Sequence, residues 1–518
     1  MDAETHGPIA LPSRARASRA TWDAIVVGSG VGGVVTAALL AHAGRRVLVL
    51  EKNATVGGVL ASRMRDGFKM DVGSHLISRG DRGPLGDVLR ALDLDRPRFL
   101  THRIPVRSRG MFAATAPSGR AGLPRVAMEA VRTLAIPPHE ALRLGRMLLQ
   151  IFTMAPFELR RWDRRTLDDF LRAHTDHPPA YFLFAFLASI FFVLPPWEVS
   201  AGEALRCLRS VLVDYSLSYI EGGMDAYAHA LLAVVTRGGG EAVTRAEVAA
   251  IARTAEGLRV TTRAGDEYFA ADVACNLAPA DLLALVEESA VPAAWAARVR
   301  AIQPSGSAHQ LKLALDRPLV DEGCVIGGVS PSGMTTSDLS FDLMRATVGQ
   351  IAEGRTTDPI AVYAPVPTNY DPSLAPPGKQ LILASIYGPC RDDPADPPEL
   401  WKERSLDAMA SIIPGLRESL LFAEFTPIPA MGRWMGKRSN GAICNAQVPG
   451  QVGRDRLSVA TPIDGLYLCG DGAGGHGIGT EMAATSAMEV AREILGGRIA
   501  RPRPGATGVS PEPPEIAP

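Results

Sequence analysis

The stretch DAIVVGSGVGG (residues 23–33), completed by VLVLE (residues 47–51), decides the fold of this chain. Residues with β-propensity lead into Gly28-x-Gly30-x-x-Gly33, and the small and apolar residues that follow keep helical spacing. Gly28 permits a tight turn, Gly30 lets a diphosphate approach the backbone, and Gly33 lets the helix pack against the strand. We therefore predict a strand, a phosphate-binding turn, a helix and a second strand.

Glu51 stands at the end of the second predicted strand. An acid at this position can accept hydrogen bonds from a ribose 2′-hydroxyl, and a diphosphate would lie at the positive end of the predicted helix. Because strand, turn, helix, strand and acid follow one another in order, a dinucleotide site is favoured over a glycine loop without a ligand. The turn does not by itself distinguish NAD from FAD.

The composition is that of a folded protein with several domains. At 518 residues the chain is long enough for two or more cores, and its net charge of −1 argues against a nucleic-acid partner. Six cysteines without metal-ligand spacing indicate a reducing, cytoplasmic setting and predict neither disulfides nor a metal site. Residues 1–20 lack the apolar segment of a secretory signal and predict a disordered tail, as do the proline-rich residues 499–518.

Three further motifs accompany the first turn: Gly57-Gly58, GFKMDVGSH (residues 67–75), and a predicted strand that ends in Gly470-Asp471 before a glycine-rich turn and a helix. Together they resemble the phytoene desaturase family and its relatives, the carotenoid isomerases, the retinol saturases and, more distantly, the amine oxidases. The resemblance covers most of the chain and implies bound FAD. It departs from the family at Val59, where members commonly carry arginine, and we expect that contact to be absent or supplied by Arg63.

The resemblance and the motifs predict which residues hold the FAD. These are Gly28, Ser29, Gly30, Gly32, Gly33, Glu51, Lys52, Gly57, Gly58, Gly73, Ser74, Val248, Gly470, Asp471, Gly477 and Ile478. Asp471 would accept hydrogen bonds from the ribityl chain, and the N-terminus of the helix after it would stabilise negative charge on the reduced ring. His75 is the titratable residue that the motifs place near the flavin ring, and it is the candidate catalytic residue. A histidine held only by backbone hydrogen bonds in a tight loop is the alternative interpretation.

The fold implied by the resemblance is α/β, with a discontinuous, Rossmann-type FAD-binding domain and an inserted mixed α+β substrate domain. We expect the FAD-binding domain to comprise residues 21–95, 215–288 and 456–498. We expect the substrate domain to comprise residues 96–214, which are helical and apolar, and residues 289–455.

The most apolar run of the chain is residues 180–194, which hold six aromatic rings and no charge. The run is shorter than the ~20 residues that a helix needs to cross a bilayer. One interpretation is a buried helix of the second domain. The other is an apolar tunnel wall, or an element at the membrane interface, that serves a lipid substrate.

The sequence therefore predicts an FAD-dependent oxidoreductase that dehydrogenates an isoprenoid or other polyene, with a hydride passing from an allylic carbon to flavin N5. Because only one dinucleotide fingerprint is present, we expect quinone or oxygen as the electron acceptor. A saturase or a redox-neutral isomerase would act on the same substrate class, and Asp71-x-Gly73-x-His75 mildly favours the saturases. An amine oxidase and a polyene-binding protein with purely structural FAD are further alternatives, and peripheral contact with a membrane is compatible with each lipid-directed function.

Overall fold

The computed structural model describes residues 21–73, 76–111, 113–116 and 119–496. Ser74, His75, the predicted tail at residues 1–20 and the predicted tail at residues 499–518 lie outside the described residues.

Eighteen strands and sixteen helices make up the described chain. The strands are β1 (Thr21–Val27), β2 (Val47–Leu50), β3 (Ser62–Arg65), β4 (Phe68–Asp71), β5 (Phe99–Thr101), β6 (Val106–Ser108), β7 (Ala114–Ala116), β8 (Ser218–Ile220), β9 (Glu241–Val243), β10 (Val248–Thr254), β11 (Gly257–Thr262), β12 (Glu267–Cys275), β13 (Ser307–Leu315), β14 (Cys324–Val329), β15 (Ile360–Pro365), β16 (Gln380–Gly388), β17 (Leu420–Thr426) and β18 (Leu466–Leu468). The helices are α1 (Val31–His42), α2 (Pro84–Ala91), α3 (Leu123–Thr133), α4 (Pro138–Thr153), α5 (Pro156–Arg161), α6 (Leu167–Arg172), α7 (Pro178–Phe192), α8 (Ala201–Val213), α9 (Asp225–Arg237), α10 (Pro279–Leu283), α11 (Ala293–Arg300), α12 (Phe341–Ala352), α13 (Pro367–Tyr370), α14 (Pro398–Ile412), α15 (Ile428–Met435) and α16 (Thr480–Ile494).

The first sheet has the strand order β10-β11-β12-β1-β2-β9, and β18 also pairs with β12. Its centre is parallel, with β1 between β12 and β2. Alternate residues of β1 enter different cores: Ala24 and Val26 pack with α1, α9 and α16, whereas Ile25 and Val27 pack on the opposite face. A strand that is buried on both faces is apolar at every position, which explains the unbroken run Ala24–Val27. The predicted strand, turn, helix and strand are thus confirmed.

The second sheet has the order β17-β13-β16-β15-β14-β6-β7 and is largely antiparallel. One of its faces packs on α14, where Trp401 is almost completely buried against Leu311 and Ile386 of the sheet. The sheet therefore has its own hydrophobic core, separate from the cores of the first sheet.

A layer of helices between α3 and α8 forms a third core, centred on α7. All fifteen residues of α7 are described; five of them are buried and the other ten are partly buried. The run therefore forms a helix that packs in this core, and its partly buried side chains are compatible with both interpretations of the run, a buried helix and an apolar wall beside a lipid substrate. No helix among the described residues is both long and apolar enough to cross a membrane.

Two local structures follow from short sequence patterns. Arg65 and Phe68 face each other across the β3–β4 hairpin, with Asp66 and Gly67 in the turn, both at positive φ. Thr166 caps α6 by accepting a hydrogen bond from the backbone N–H of Asp169 at 3.1 Å.

His309 of β13 makes the stability of the second sheet dependent on pH. Its ring is 2 % exposed, lies between Trp401 and Phe425, and accepts a hydrogen bond from the Ile428 backbone N–H at 3.2 Å. Burial lowers the pKa of His309 from 6.5 to about 4. Between those pH values the unfolded chain binds a proton that the native protein does not bind, so the native state loses stability as the pH falls.

We expect His309→Asn to reduce this loss. As the pH falls from neutral through that window, the unfolding free energy of the wild type should fall by about 2–3 kcal/mol more than that of the variant. Urea denaturation at several pH values measures it. The buried carboxyl of Asp71, whose pKa is also shifted, is common to both proteins and cancels in the comparison. A difference that stays constant with pH would contradict the assignment.

Candidate functional site

The first turn delivers the N-terminus of α1 to the edge of the first sheet. Gly30 is the N-cap, and neither a side-chain cap nor an acid occupies the first turn of the helix. The first intrahelical bond of the turn runs from Val34 N to Gly30 O at 3.0 Å. The N–H groups that precede Val34 are therefore available to an anion, and the helix dipole favours negative charge there.

The glycines of this turn are required by close backbone contacts. A Cβ on Gly33 would lie 1.9 Å from the carbonyl oxygen of Gly28, and Gly28 itself has a φ of +90°. A Cβ on Gly32 would lie 2.5 Å from Gly470 Cα. The turn predicted for the diphosphate and the distant turn at Gly470 are thus in contact, and side chains here would push them apart.

Asn276 lies where the two turns meet and was not predicted from the sequence. Its Nδ2 would be 2.4 Å from a Cβ on Gly30, and its Oδ1 would be 2.3 Å from a Cβ on Gly470. The residue follows β12 directly, and its backbone N–H donates to Val27 O at 2.8 Å. A polar residue at the carboxyl end of a buried strand was the signal in the sequence, because ligands bind at that edge of a parallel sheet.

Glu51 and Ser29 form the polar side of the first turn. The Glu51 carboxylate is 6 % exposed; Oε2 accepts from the Ser29 N–H at 2.9 Å and the Ser29 hydroxyl at 2.6 Å, and Oε1 accepts from Asn53 N at 2.8 Å. Oε2 thus uses both of its lone pairs, whereas Oε1 accepts one hydrogen bond and keeps a second lone pair for a ribose hydroxyl. Lys52, the next predicted residue, directs its ammonium away to the Arg433 carbonyl oxygen at 2.8 Å.

We expect Glu51→Ala to weaken FAD retention by at least roughly tenfold. The change removes a buried carboxylate whose hydrogen bonds contribute about 1.5–3 kcal/mol each and which orders the turn through Ser29. Flavin occupancy after dialysis measures the effect. Glu247→Ala is the control, because Glu247 lies just before β10 and is an exposed partner of Arg263. Equal occupancy in both variants would contradict the role of Glu51.

Gly57 and Gly58 lie directly on the first turn. The Gly57 N–H lies 3.1 Å from the Ser29 hydroxyl oxygen, which accepts its hydrogen bond, and a Cβ on Gly58 would lie 2.9 Å from Gly30 Cα. Their φ angles of +105° and +57° favour glycine. Gly73 follows in the same layer, donating its N–H to Val59 O at 3.2 Å.

The remaining predicted residues of the N-terminal part lie away from the first turn or outside the described residues. Val248 opens β10 and buries its side chain in a core of the first sheet, so any contact with an adenine would come from its backbone. Arg63 pairs with Glu424 on the second sheet. Ser74 and the candidate catalytic residue His75 are outside the described residues, and their roles stay predictions.

Asp71, the acid of the GFKMDVGSH motif, holds two chain segments together. Its carboxyl group is 1 % exposed and accepts hydrogen bonds from Ser62 Oγ at 2.6 Å, from the Tyr219 hydroxyl and from Met224 N at 3.3 Å. Burial raises the pKa of Asp71 to about 6 despite these bonds. This residue is therefore a structural link between the hairpin and the segment before α9.

Asp471, at the second turn, is paired with a lysine that sequence reasoning missed. Its Oδ2 accepts from Lys437 Nζ at 3.0 Å and from the Cys444 backbone N–H at 3.0 Å, and Lys437 also donates to Ala442 O at 2.7 Å. Burial by itself would raise the pKa of Asp471, but the Lys437 charge and these hydrogen bonds outweigh it and lower the pKa. Asp471 is therefore ionised at neutral pH and available as an acceptor of hydrogen bonds.

The last part of the site is the turn that leads into α16. Gly477 O accepts a hydrogen bond from Gln447 at 3.0 Å, and the Ile478 side chain packs against the helical core that contains α7. Glu481 occupies the first turn of α16 and accepts from Arg79 Nε at 3.1 Å. The positive end of the α16 dipole, which we predicted would stabilise negative charge on the flavin, is therefore partly offset by Glu481. The sequence did not predict the ion pair of Glu481 with Arg79.

The two glycine turns, the open helix N-terminus and the acids at two strand ends fit FAD, since side chains in place of these glycines would fill the cradle. These features define a flavoprotein of the Rossmann type. Residues 31–495 match the family described as flavin containing amine oxidoreductase, and the chain belongs to that family. It is an FAD-dependent oxidoreductase with a Rossmann-type cofactor domain and a substrate domain, which confirms the predicted cofactor and fold class.

Among curated proteins the chain is similar to the all-trans-retinol 13,14-reductase of Rattus norvegicus, with 27 % identity over 268 residues, 44 % of this chain and 42 % of that protein. It is 49 % identical over 73 residues to prolycopene isomerase 1 of an Oncidium hybrid cultivar, covering 14 % of this chain and 12 % of that protein. These matches span less than half the length of each relative. An oxidoreductase structure from Methanosarcina mazei has the same fold, with a TM-score of 0.67 and 20 % identity over 90 % of this chain and 99 % of that one.

Proposed function

We propose that this protein dehydrogenates an apolar isoprenoid or polyene in the manner of the phytoene desaturases. The observation that carries the proposal is the contact of Ile478, in the turn predicted for the flavin end, with the helical core around α7. That helix has aromatic side chains on several faces and no charged residue. A substrate beside this turn would therefore meet hydrocarbon, which suits a polyene and disfavours a charged amine.

Bound FAD would supply the redox chemistry by exchanging a hydride with the substrate. The residues of the chain contribute position and the exclusion of water. Phe182, Phe184 and Phe191 are only partly buried on α7 and supply apolar surface to a neighbouring ligand. Arg79 and Glu481 neutralise each other beside the turn, so no uncompensated charge from this pair opposes an apolar substrate.

A saturase is the second candidate, because the curated relatives include proteins named as retinol 13,14-reductases. The spacing Asp71-x-Gly73-x-His75 also favours it. A redox-neutral polyene isomerase would use the same apolar surface, and a relative named as a prolycopene isomerase supports that reaction. Quinone or oxygen is the proposed electron acceptor for the desaturase reaction, and a cytoplasmic protein with access to a membrane is the proposed setting.

The direction of the reaction is tested by anaerobic mixing with carotenoid-type polyenes, followed by mass analysis of the products. A desaturase in its oxidised form should lose its visible flavin absorbance and yield a product lighter by two hydrogens. If only reduced enzyme reacts and the product gains two hydrogens, the saturase reaction is the correct one. A product of unchanged mass formed by reduced enzyme would identify an isomerase.

A further inference from the structure

Helix α4 carries apolar side chains on the side that faces solvent. Leu142, Leu149 and Phe152 are 56, 65 and 38 % exposed. At 3.6 residues per turn they lie within about 80° of one another on the helix surface, opposite the buried face that contains Leu144 and Ile151. The outer face of a surface helix is ordinarily polar, so this stripe needs an explanation.

The apolar exposure continues on both neighbouring helices. Met128 of α3 is 58 % exposed and Phe157 of α5 is 53 % exposed. Among the described residues, eight large apolar side chains are exposed, and five of these lie between residues 128 and 157. We call these five residues, Met128, Leu142, Leu149, Phe152 and Phe157, the apolar patch.

The charge around the apolar patch is positive. In residues 123–161, all described, there are six exposed arginines: Arg125, Arg132, Arg143, Arg146, Arg160 and Arg161. The same segment has three glutamates, none of them exposed, and each accepts a hydrogen bond within the protein. A segment of net charge +3 in a chain of net charge −1 complements an anionic surface.

The inner side of the same helices leads to the proposed site. Leu144, Met147 and Ile151 of α4 belong to the core that contains α7, and Ile478 of the predicted flavin turn packs on that core. The apolar patch therefore covers the outside of the helical layer whose inside faces the turn.

We propose that α3, α4 and α5 dock this protein on an anionic phospholipid bilayer, with the apolar patch in the interfacial layer and the arginines among the headgroups. Large apolar side chains beside exposed arginines are the composition that such a surface recognises. Docking would bring the helical layer to the lipid phase in which an apolar polyene dissolves. That consequence for substrate delivery rests on the proposed function, whereas the docking itself does not.

The test is flotation of the full holoprotein with vesicles of phosphatidylglycerol and phosphatidylcholine, compared with vesicles of phosphatidylcholine alone. Wild type should float with the anionic vesicles at low salt. Leu142→Glu combined with Leu149→Glu keeps good helix formers and should lower the partition coefficient at least about tenfold, because two apolar side chains no longer enter the interface. Arg146→Gln should lower binding to anionic vesicles about fivefold, corresponding to ~1 kcal/mol for one charge near the surface.

Met64→Glu is the matched control, since Met64 is 63 % exposed on β3, outside the apolar patch. Its binding should equal that of wild type. Absence of wild-type flotation, or an equal loss in the Met64 variant, would overturn the proposal. So would a concentration-dependent dimer in light scattering that Leu149→Glu dissociates, because the apolar patch would then be a self-association surface. The vesicles contain no polyene, so the result is independent of the reaction that the enzyme catalyses.

Discussion

Replacement of Gly33 by alanine is expected to give a protein that purifies without flavin. The added methyl carbon would lie 1.9 Å from the carbonyl oxygen of Gly28, and neither backbone can move without separating α1 from β1. Overpacking of a flexible side chain costs about 1–3 kcal/mol, and a clash between backbones exceeds that range. We therefore expect flavin content near zero and an unfolding free energy lowered by roughly 3 kcal/mol or more.

Gly349→Ala provides the control for this variant. Gly349 lies within α12, and a Cβ there would meet no atom within 4 Å. Alanine in a helix interior is favoured over glycine by about 1 kcal/mol, so flavin content should be unchanged and stability slightly higher. Stoichiometric flavin in the Gly33 variant, measured from the ratio of flavin to protein absorbance, would show that the turn tolerates a side chain and is not the cofactor cradle.

Lys437→Met should be the second most damaging of these changes. The change removes the ammonium partner of the Asp471 carboxylate, whose side chain is 23 % exposed. Breaking a buried pair by removing one member costs about 3–5 kcal/mol, and the partial exposure of Asp471 places the expected loss near the lower end, at about 3 kcal/mol. The sign of the pH effect follows: once Lys437 no longer lowers its pKa, Asp471 should take up a proton at a higher pH than in wild type.

Thermal and urea unfolding of the apoprotein measure this cost without interference from cofactor binding. Arg417→Met is the control, because Arg417 and Asp407 form an exposed pair whose loss should cost less than about 1 kcal/mol. Adding Asp471→Asn to the Lys437 variant removes the unpaired charge and should recover part of the stability. If Lys437→Met costs no more than Arg417→Met, the pair does not hold the second turn in place.

The sequence predicted those parts of the site that depend on local order. The first turn and its helix follow from glycines at fixed spacing, and Glu51 was recognised because an acid ends the second strand. The β3–β4 hairpin depends on local order in the same way, because Asp66 and Gly67 suit the positive φ angles of its turn. In each case the residues that cooperate lie within one supersecondary unit, so their spacing along the chain carries the information.

The parts that were missed join distant segments. Asn276 reaches Gly30, and Lys437 reaches Asp471 from a loop with no recognisable motif. The pairing of Arg79 with Glu481 spans 402 positions of the chain. Such contacts are set by the packing of α2 against α16 and of the loop after α15 against the turn at Asp471, which no local pattern encodes.

Helix α4 shows a different limit. Its apolar residues cover one wide arc that includes both the buried face and the outer stripe, so the period of 3.6 predicts the helix but does not tell which part of the arc is buried. Only the structure separates Leu144, which packs on the core, from Leu149, which faces solvent. The apolar run of α7, in contrast, was recognised from composition because the helix carries no charged residue and packs in the helical core.

We propose that this flavoprotein acts on an apolar polyene and not on an amine. The most direct test is anaerobic stopped-flow mixing of the oxidised and reduced holoenzyme with carotenoid-type polyenes and, in parallel, with primary amines and polyamines. We predict that a polyene changes the redox state of the flavin and differs by two hydrogens in the product, while the amines leave the flavin oxidised. Rapid flavin reduction by an amine, with every polyene inert towards both forms of the enzyme, would contradict the claim.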